Sequence, residues 1–152
     1  IIISGPGPIK EFFLREELLH DVVTKKIIGQ VDTSYTGEYG LHETLEKASD
    51  LLKEASVTKE KKLLQRFFQE LQKPHSLAVY GVDKVREFLE RGTIDTVVIT
   101  EDLPLQIEGR DAFEWFEEAV ENYGSKLSVV SSETREGQQF RALGGVGAFM
   151  RY

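Results

Sequence analysis

Phe140-Arg-Ala-Leu-Gly-Gly-Val-Gly-Ala-Phe-Met-Arg-Tyr152 is the stretch on which the reading of the fold turns. It reads as a helix stopped at Gly144-Gly145 that feeds directly into a strand, because glycine just past a helix accepts the left-handed conformation that closes the last turn. Strand alternation would send Val146, Ala148 and Met150 to one face, and Gly147, Phe149 and Arg151 to the other. Gly147 has no side chain, so a neighbour is expected to pack close against that face. By itself this is a core strand with its helix and gives no function.

Working back from it, the same alternation repeats. Lys126–Ser131 reads as a strand, and Ser132 opens the last helix, which runs to Leu143. Asp111–Tyr123 is a helix, with Asp111 and Glu114 in capping-box spacing and Gly124 beyond its end. Thr93–Thr100 holds Val97-Val98-Ile99, the most apolar strand of the chain. Val82–Arg91 is a helix stopped by Gly92, and Ser76–Tyr80 is a short strand. Strand–helix alternation at this spacing predicts an α/β fold, a three-layer α/β/α sandwich with a mixed, largely parallel sheet.

Upstream, Leu63, Leu64, Phe67, Phe68 and Leu71 lie at helical spacing, as do Leu41, Leu45, Ala48, Leu52 and Ala55. They predict two helices over 41–55 and 59–71, the second opened by Thr58, with Lys59-Glu60-Lys61-Lys62 as its solvated first turn. Lys73-Pro74 ends the second. The turn-rich Thr36-Gly37-Glu38-Tyr39-Gly40 marks a domain boundary, giving regions 1–38 and 39–152. Residues 9–26 read as helical, in two pieces, and Ile27–Tyr35 as a strand. Ile1-Ile2-Ile3 followed by Ser4-Gly5-Pro6-Gly7-Pro8 reads as a strand cut from a larger sheet, and the only methionine is Met150, so the chain is expected to be a fragment.

Composition narrows the function classes. The chain has 152 residues, a net charge of −7 and no cysteine. Disulfides and thiolate metal sites are therefore excluded. The negative balance argues against broad capture of RNA or DNA, whose affinity rests on neutralising phosphates. No apolar run approaches the length of a membrane span. A cytoplasmic location is expected.

The catalytic inventory is thin. His20, His42 and His75 are scattered without metal-ligand spacing, and His20-Asp21 point in different directions on a helix. The Gly5–Pro8 loop lacks both phosphate-binding glycine patterns, and its prolines remove two backbone donors. Glu101-Asp102 ends the central strand, where α/β folds often bind ligands, but no second motif converges on it. Ser131-Ser132 has no nucleophile elbow, and Trp115 with Phe113, Phe116 and Tyr123 reads as a core face. No cofactor is expected.

Three segments together resemble one family: Ile1–Ile9, Lys26–Tyr35 and Gly144–Tyr152, with Glu60–Leu63 and Gly92–Leu103 fitting between them in order. The chain resembles the class I peptide-chain release factors of the archaeal and eukaryotic type, and the archaeal version above all. The resemblance implies that residues 1–38 end the middle, peptidyl-tRNA hydrolysis domain, and that residues 39–152 form the C-terminal, ribosomal-protein-like domain. That domain would dock a translational GTPase of the elongation-factor type and a ribosome-recycling ATPase, and reach the ribosome through the full-length protein. The resemblance places partner binding at Gly144, Gly145, Ala148, Phe149, Met150, Arg151 and Tyr152, with Arg151 the residue best suited to reach a partner. Polar surface of the two predicted helices over 41–71 would add to the interface.

The family's Gly-Gly-Gln motif occurs nowhere in the 152 residues, so this piece is expected to be non-enzymatic; it is also expected to be monomeric and without a membrane partner. Two departures stand out. Family members carry an inserted minidomain where only Leu103–Arg110 bridges the gap here, and Phe149-Met150 replaces an Ile-Leu pair. The alternative readings are the related stalled-ribosome rescue factor, an RNA-binding domain of ribosomal-protein type, and a small-molecule enzyme built around Glu101-Asp102.

Overall fold

The computed structural model describes residues 1–16 and 18–152. Its contacts cluster into two compact units, Ile1–Thr58 and Lys59–Tyr152. In the first, β1 (Ile2–Gly5) and β2 (Gly29–Asp32) pair in parallel, Ile2 opposite Gly29. Between them lie two short helices, α1 (Ile9–Arg15) and α2 (Asp21–Thr24). The helical expectation over 9–26 is met in two pieces, and Glu17 falls outside the described residues. Lys10 is buried, donates to the Gly7 carbonyl at 2.7 Å and pairs with Asp32, which ties the Gly-Pro loop to β2.

The largest departure from expectation is α3, one helix from Gly37 to Leu71 where two were predicted. Ser56-Val57-Thr58 lowers helix propensity by only a few tenths of a kcal/mol per residue, and no glycine or proline lies between Leu41 and Leu71. The turn at 36–40 thus opens a helix, and the compact units part twenty residues later. Its start is closed from outside, since Glu43 accepts from the Ser34 N–H at 2.7 Å. Gly40 is obligatory there: a Cβ would lie 2.3 Å from the Tyr35 carbonyl oxygen.

The second unit contains β3 (Ala78–Tyr80), α4 (Val82–Glu90), β4 (Ile94–Thr100), α5 (Ala112–Asn122), β7 (Lys126–Val130), α6 (Arg135–Ala142) and β8 (Val146–Met150). A two-residue hairpin of β5 (Gln106–Ile107) and β6 (Arg110–Asp111) bridges β4 and α5. The sheet order is β3-β8-β4-β7. It is mixed, as expected, but parallel pairing is confined to β4–β7, and both pairings of β8 are antiparallel. The expectation of a largely parallel sheet is thus corrected: β8 enters directly from α6 without a crossover that would reverse its direction.

Alternation along β4 sorts the core into two layers. Val97 and Ile99 pack with Val85, Leu89, Trp115 and Phe116 from α4 and α5. Val98 faces the other way, among Leu64, Phe67 and Phe140 from α3 and α6. The helix caps are mostly as read from sequence. Asp111 accepts from the Phe113 N–H at 2.8 Å, and Gly92 and Gly124 take positive φ beyond their helices. The exception is α6, capped by Thr134, which accepts from the Gly137 N–H at 3.0 Å, rather than by Ser132. Glu108 and Gly109, with φ 55° and 79°, form the left-handed pair a type I′ hairpin requires.

Candidate functional site

The closing stretch is built from α6 and β8. Gly144 and Gly145 both take positive φ; the Gly145 N–H reaches the Phe140 carbonyl and the Gly144 N–H the Arg141 carbonyl, a Schellman ending. Gly145 has a second reason to be glycine. A Cβ there would lie 2.6 Å from the Thr100 hydroxyl, whose backbone N–H donates to the Gly145 carbonyl.

From Gly145 the strand enters the interior of the sheet. Val146 and Ala148 are fully buried in the layer of α4 and α5. On the other face, a Cβ on Gly147 would lie 2.6 Å from Phe67 and 3.0 Å from Phe140. The close neighbour expected at Gly147 is therefore an aromatic cluster. Phe149 belongs to it, edge-on to Phe67 at 5.6 Å and 6% exposed, with the Arg66 guanidinium 4.8 Å above its ring.

Burial divides the seven expected binding residues. Gly145, Ala148 and Phe149 are buried, Met150 is half-buried, and Gly144, Arg151 and Tyr152 are exposed. Arg151 is not unengaged. Its guanidinium donates to the carbonyls of Gly124 at 2.7 Å and Tyr123 at 3.3 Å, the C-terminal end of α5, where a cation is favoured by the helix dipole. Tyr152 is 77% exposed.

Beside the end of β8 lies a shallow groove of roughly 300 Å³, whose lining includes Arg66, Glu70, Leu77, Asp95 and Phe149. The lining mixes charged groups of both signs with the apolar Leu77, Phe149 and Met150, a composition suited to a protein segment. Sequence reasoning passed over Arg66 and Asp95. The cue for Arg66 was its place directly before Phe67, and Asp95 gave none.

Two carboxylates of this unit are held below their ordinary value of 4.5. For Glu70 the cause is chiefly the Lys73 side chain at 2.6 Å, then the Leu77 N–H. For Glu136 it is first its own backbone N–H and then Gln65. Carboxyls depressed in the folded state favour folding above their unfolded pKa and lose that contribution as pH falls through the folded value. The thermal midpoint should therefore drop as pH is lowered below about 4.5, and Glu70→Gln should flatten that slope. An unchanged slope in the variant would refute the role of Glu70.

The other sequence candidates are structurally occupied. Ser131 donates its hydroxyl to Glu101 at 2.7 Å, and Arg141 pairs with Asp102 at 2.6 Å. His20 caps α2, accepting from the Val22 N–H, and His42 and His75 are exposed. Among the described residues, no three His, Asp or Glu side chains are placed to hold a metal ion. Nor is any helix among them long and apolar enough to cross a membrane.

By its architecture the chain falls with archaeal Pelota and the archaeal translation termination factor aRF1. A model of ribosome-bound archaeal Pelota and ABCE1 matches 99% of this chain and 43% of that one, with TM-score 0.76 and 29% identity. The crystal structure of the archaeal translation termination factor aRF1 matches 99% of this chain and 42% of that one, with TM-score 0.55 and 26% identity. The family models for eRF1 domain 2 and eRF1 domain 3 match residues 1–54 and 57–152, and the chain belongs to the eRF1 family. Peptide chain release factor subunit 1 of Thermococcus onnurineus is 38% identical over 194 residues, covering all of this chain and 47% of that protein. The chain thus spans about half the length of the curated relatives it matches. The alignment is 42 positions longer than the 152 residues present here.

Proposed function

We propose that this chain is the C-terminal part of an archaeal-type class I translation termination factor and serves as its docking module. The observation that carries this is the match of the whole chain, through two successive family domains, to archaeal release factor subunit 1. On this reading, residues 1–38 lie in the end of the hydrolysis domain, whose family match runs on to residue 54, and the C-terminal domain, matched over 57–152, carries the binding surface for a translational GTPase and a ribosome-recycling ATPase. The ribosome-bound Pelota and ABCE1 model supports the second partner. On this reading the protein works in the cytoplasm, with the ribosome.

The closing stretch has a divided role in this reading. Gly145, Ala148 and Phe149 shape the surface from within, while Met150, Arg151 and Tyr152 present it. Tyr152→Ala and Arg151→Ala should each weaken capture of the GTPase in a pull-down by roughly tenfold, about 1.4 kcal/mol, with folding retained. If both variants bind as the parent does, the closing segment is not the docking surface. The chain should also show no peptidyl-tRNA hydrolysis on its own, since it holds no Gly-Gly-Gln; release of labelled peptide above background would refute that.

A rescue factor is the second reading, favoured by the higher TM-score with Pelota, 0.76 against 0.55. Full-length protein on ribosomes halted with and without a stop codon separates the two, because only a termination factor requires the codon.

A further inference from the structure

The two edges of the four-stranded sheet are unequal. At β3 the outward N–H and C=O of Ala78 are both engaged by the Ser76 hydroxyl, at 3.0 and 2.9 Å, so the strand is short and plugged. β7 is five residues long, and among the described residues no strand pairs with its outer side. The Val130 carbonyl accepts from Glu101 on the β4 side, so by alternation Leu127, Val129 and Ser131 direct their backbone groups outward. Glu60 takes the last of these, accepting from the Ser131 N–H at 2.9 Å. The amides of Leu127 and Val129 are left at the edge, beside a Val129 side chain that is 39% exposed.

We propose that the outer edge of β7 is a second docking site, which takes an extended, basic segment of a partner protein by strand addition. Unpaired edges of this length template pairing with another chain unless they are blocked, and here the block is on the opposite edge. The sign of the partner comes from α5, which packs on β7. Its exposed residues include Glu114, Glu117, Glu118 and Glu121, of which Glu118 is paired with Arg110. An added strand with lysines can lay its stems along Val129 and bring its ammonium groups to these carboxylates. β4 separates this edge from β8, and although Arg151 reaches the Tyr123 and Gly124 carbonyls just before β7, Val129→Pro leaves that contact in place, so the peptide test stands separately from the GTPase assignment.

A blocked ten-residue peptide of alternating lysine and valine, titrated into this chain, tests the proposal, with alternating glutamate and valine as the control. The lysine peptide should slow hydrogen exchange at Leu127 and Val129 and shift their amide resonances. Binding should weaken as salt rises from about 0.01 M to about 1 M, over which the screening length falls from about 30 to about 3 Å. Val129→Pro should lower affinity at least tenfold without moving the thermal midpoint, because the N–H it removes makes no ladder bond. Glu117→Lys with Glu121→Lys, which leaves the backbone intact, should do the same. Equal binding of the glutamate peptide, protection confined to other strands, or a Val129→Pro-sensitive dimer of the chain itself would each overturn it.

Discussion

Phe67→Ala should cost the second unit about 3–5 kcal/mol, the range for emptying a buried aromatic site. Phe67 is fully buried and stands edge-on to Phe68, Phe140 and Phe149, while its ring fills the space left by the absent Gly147 side chain. No remaining side chain can collapse into that volume, because the ring lies directly on the backbone of β8. With about 4–8 °C per kcal/mol for a unit of this size, the midpoint in a calorimetric scan should fall by roughly 12 °C or more. A change of less than about 4 °C, near 1 kcal/mol, would show that the aromatic cluster is not the mainstay of that layer. The same logic separates Phe149 from Tyr152 in the docking assay. Phe149→Ala is expected to weaken capture through lost packing, and its midpoint should fall with it.

Gly137→Ala is the second large effect, and its sign is the test. In an ordinary helix interior, alanine in place of glycine stabilises by about 1 kcal/mol. At position 137 in α6 a Cβ would lie 1.9 Å from the Ser131 carbonyl oxygen, a backbone atom that cannot rotate away. The helix must therefore lift from the end of β7, breaking the bonds that Ser131 makes with Glu60 and Glu101. Overpacking of this kind costs about 1–3 kcal/mol, and the gain in propensity does not offset it. Chemical denaturation of the variant should show a lower midpoint. A stabilised variant would mean that α6 does not sit this close.

The parts of the fold that were legible in the sequence are those set by short-range pattern. Val97-Val98-Ile99 could only be a strand buried on both faces, and Gly92, Gly124 and Gly144-Gly145 end their helices as glycines beyond helices do. What escaped was decided at long range or by weak local preference. Nothing local reports that β8 runs antiparallel to both neighbours, since strand direction is settled by where α6 delivers the chain. Ser56-Val57-Thr58 looked like a break because serine and threonine favour caps, yet neighbouring turns carry the helix through. Thr134 displaced Ser132 as cap because only Thr134 lies three residues before the Gly137 N–H it accepts from. At the candidate site, alternation alone told which side chains enter the core. That Arg151 would bind the carbonyls ending α5 was invisible, because the partner is backbone 27 residues away.

The place of β8 in the sheet also orders events in time. It is the last strand of this unit in chain order, yet it lies between β3 and β4, and among the described residues it is the strand that pairs with β3 and one of the two that pair with β4. Until Val146–Met150 has left the ribosome, β3 has no partner, and Gly147 is not there to meet Phe67. Much of this unit's order must then wait until its final strand is made, through contacts that span some seventy residues. Deleting Val146–Tyr152 would take out an inner rib of the sheet, and a nascent chain halted before Val146 would carry an aromatic cluster with no floor.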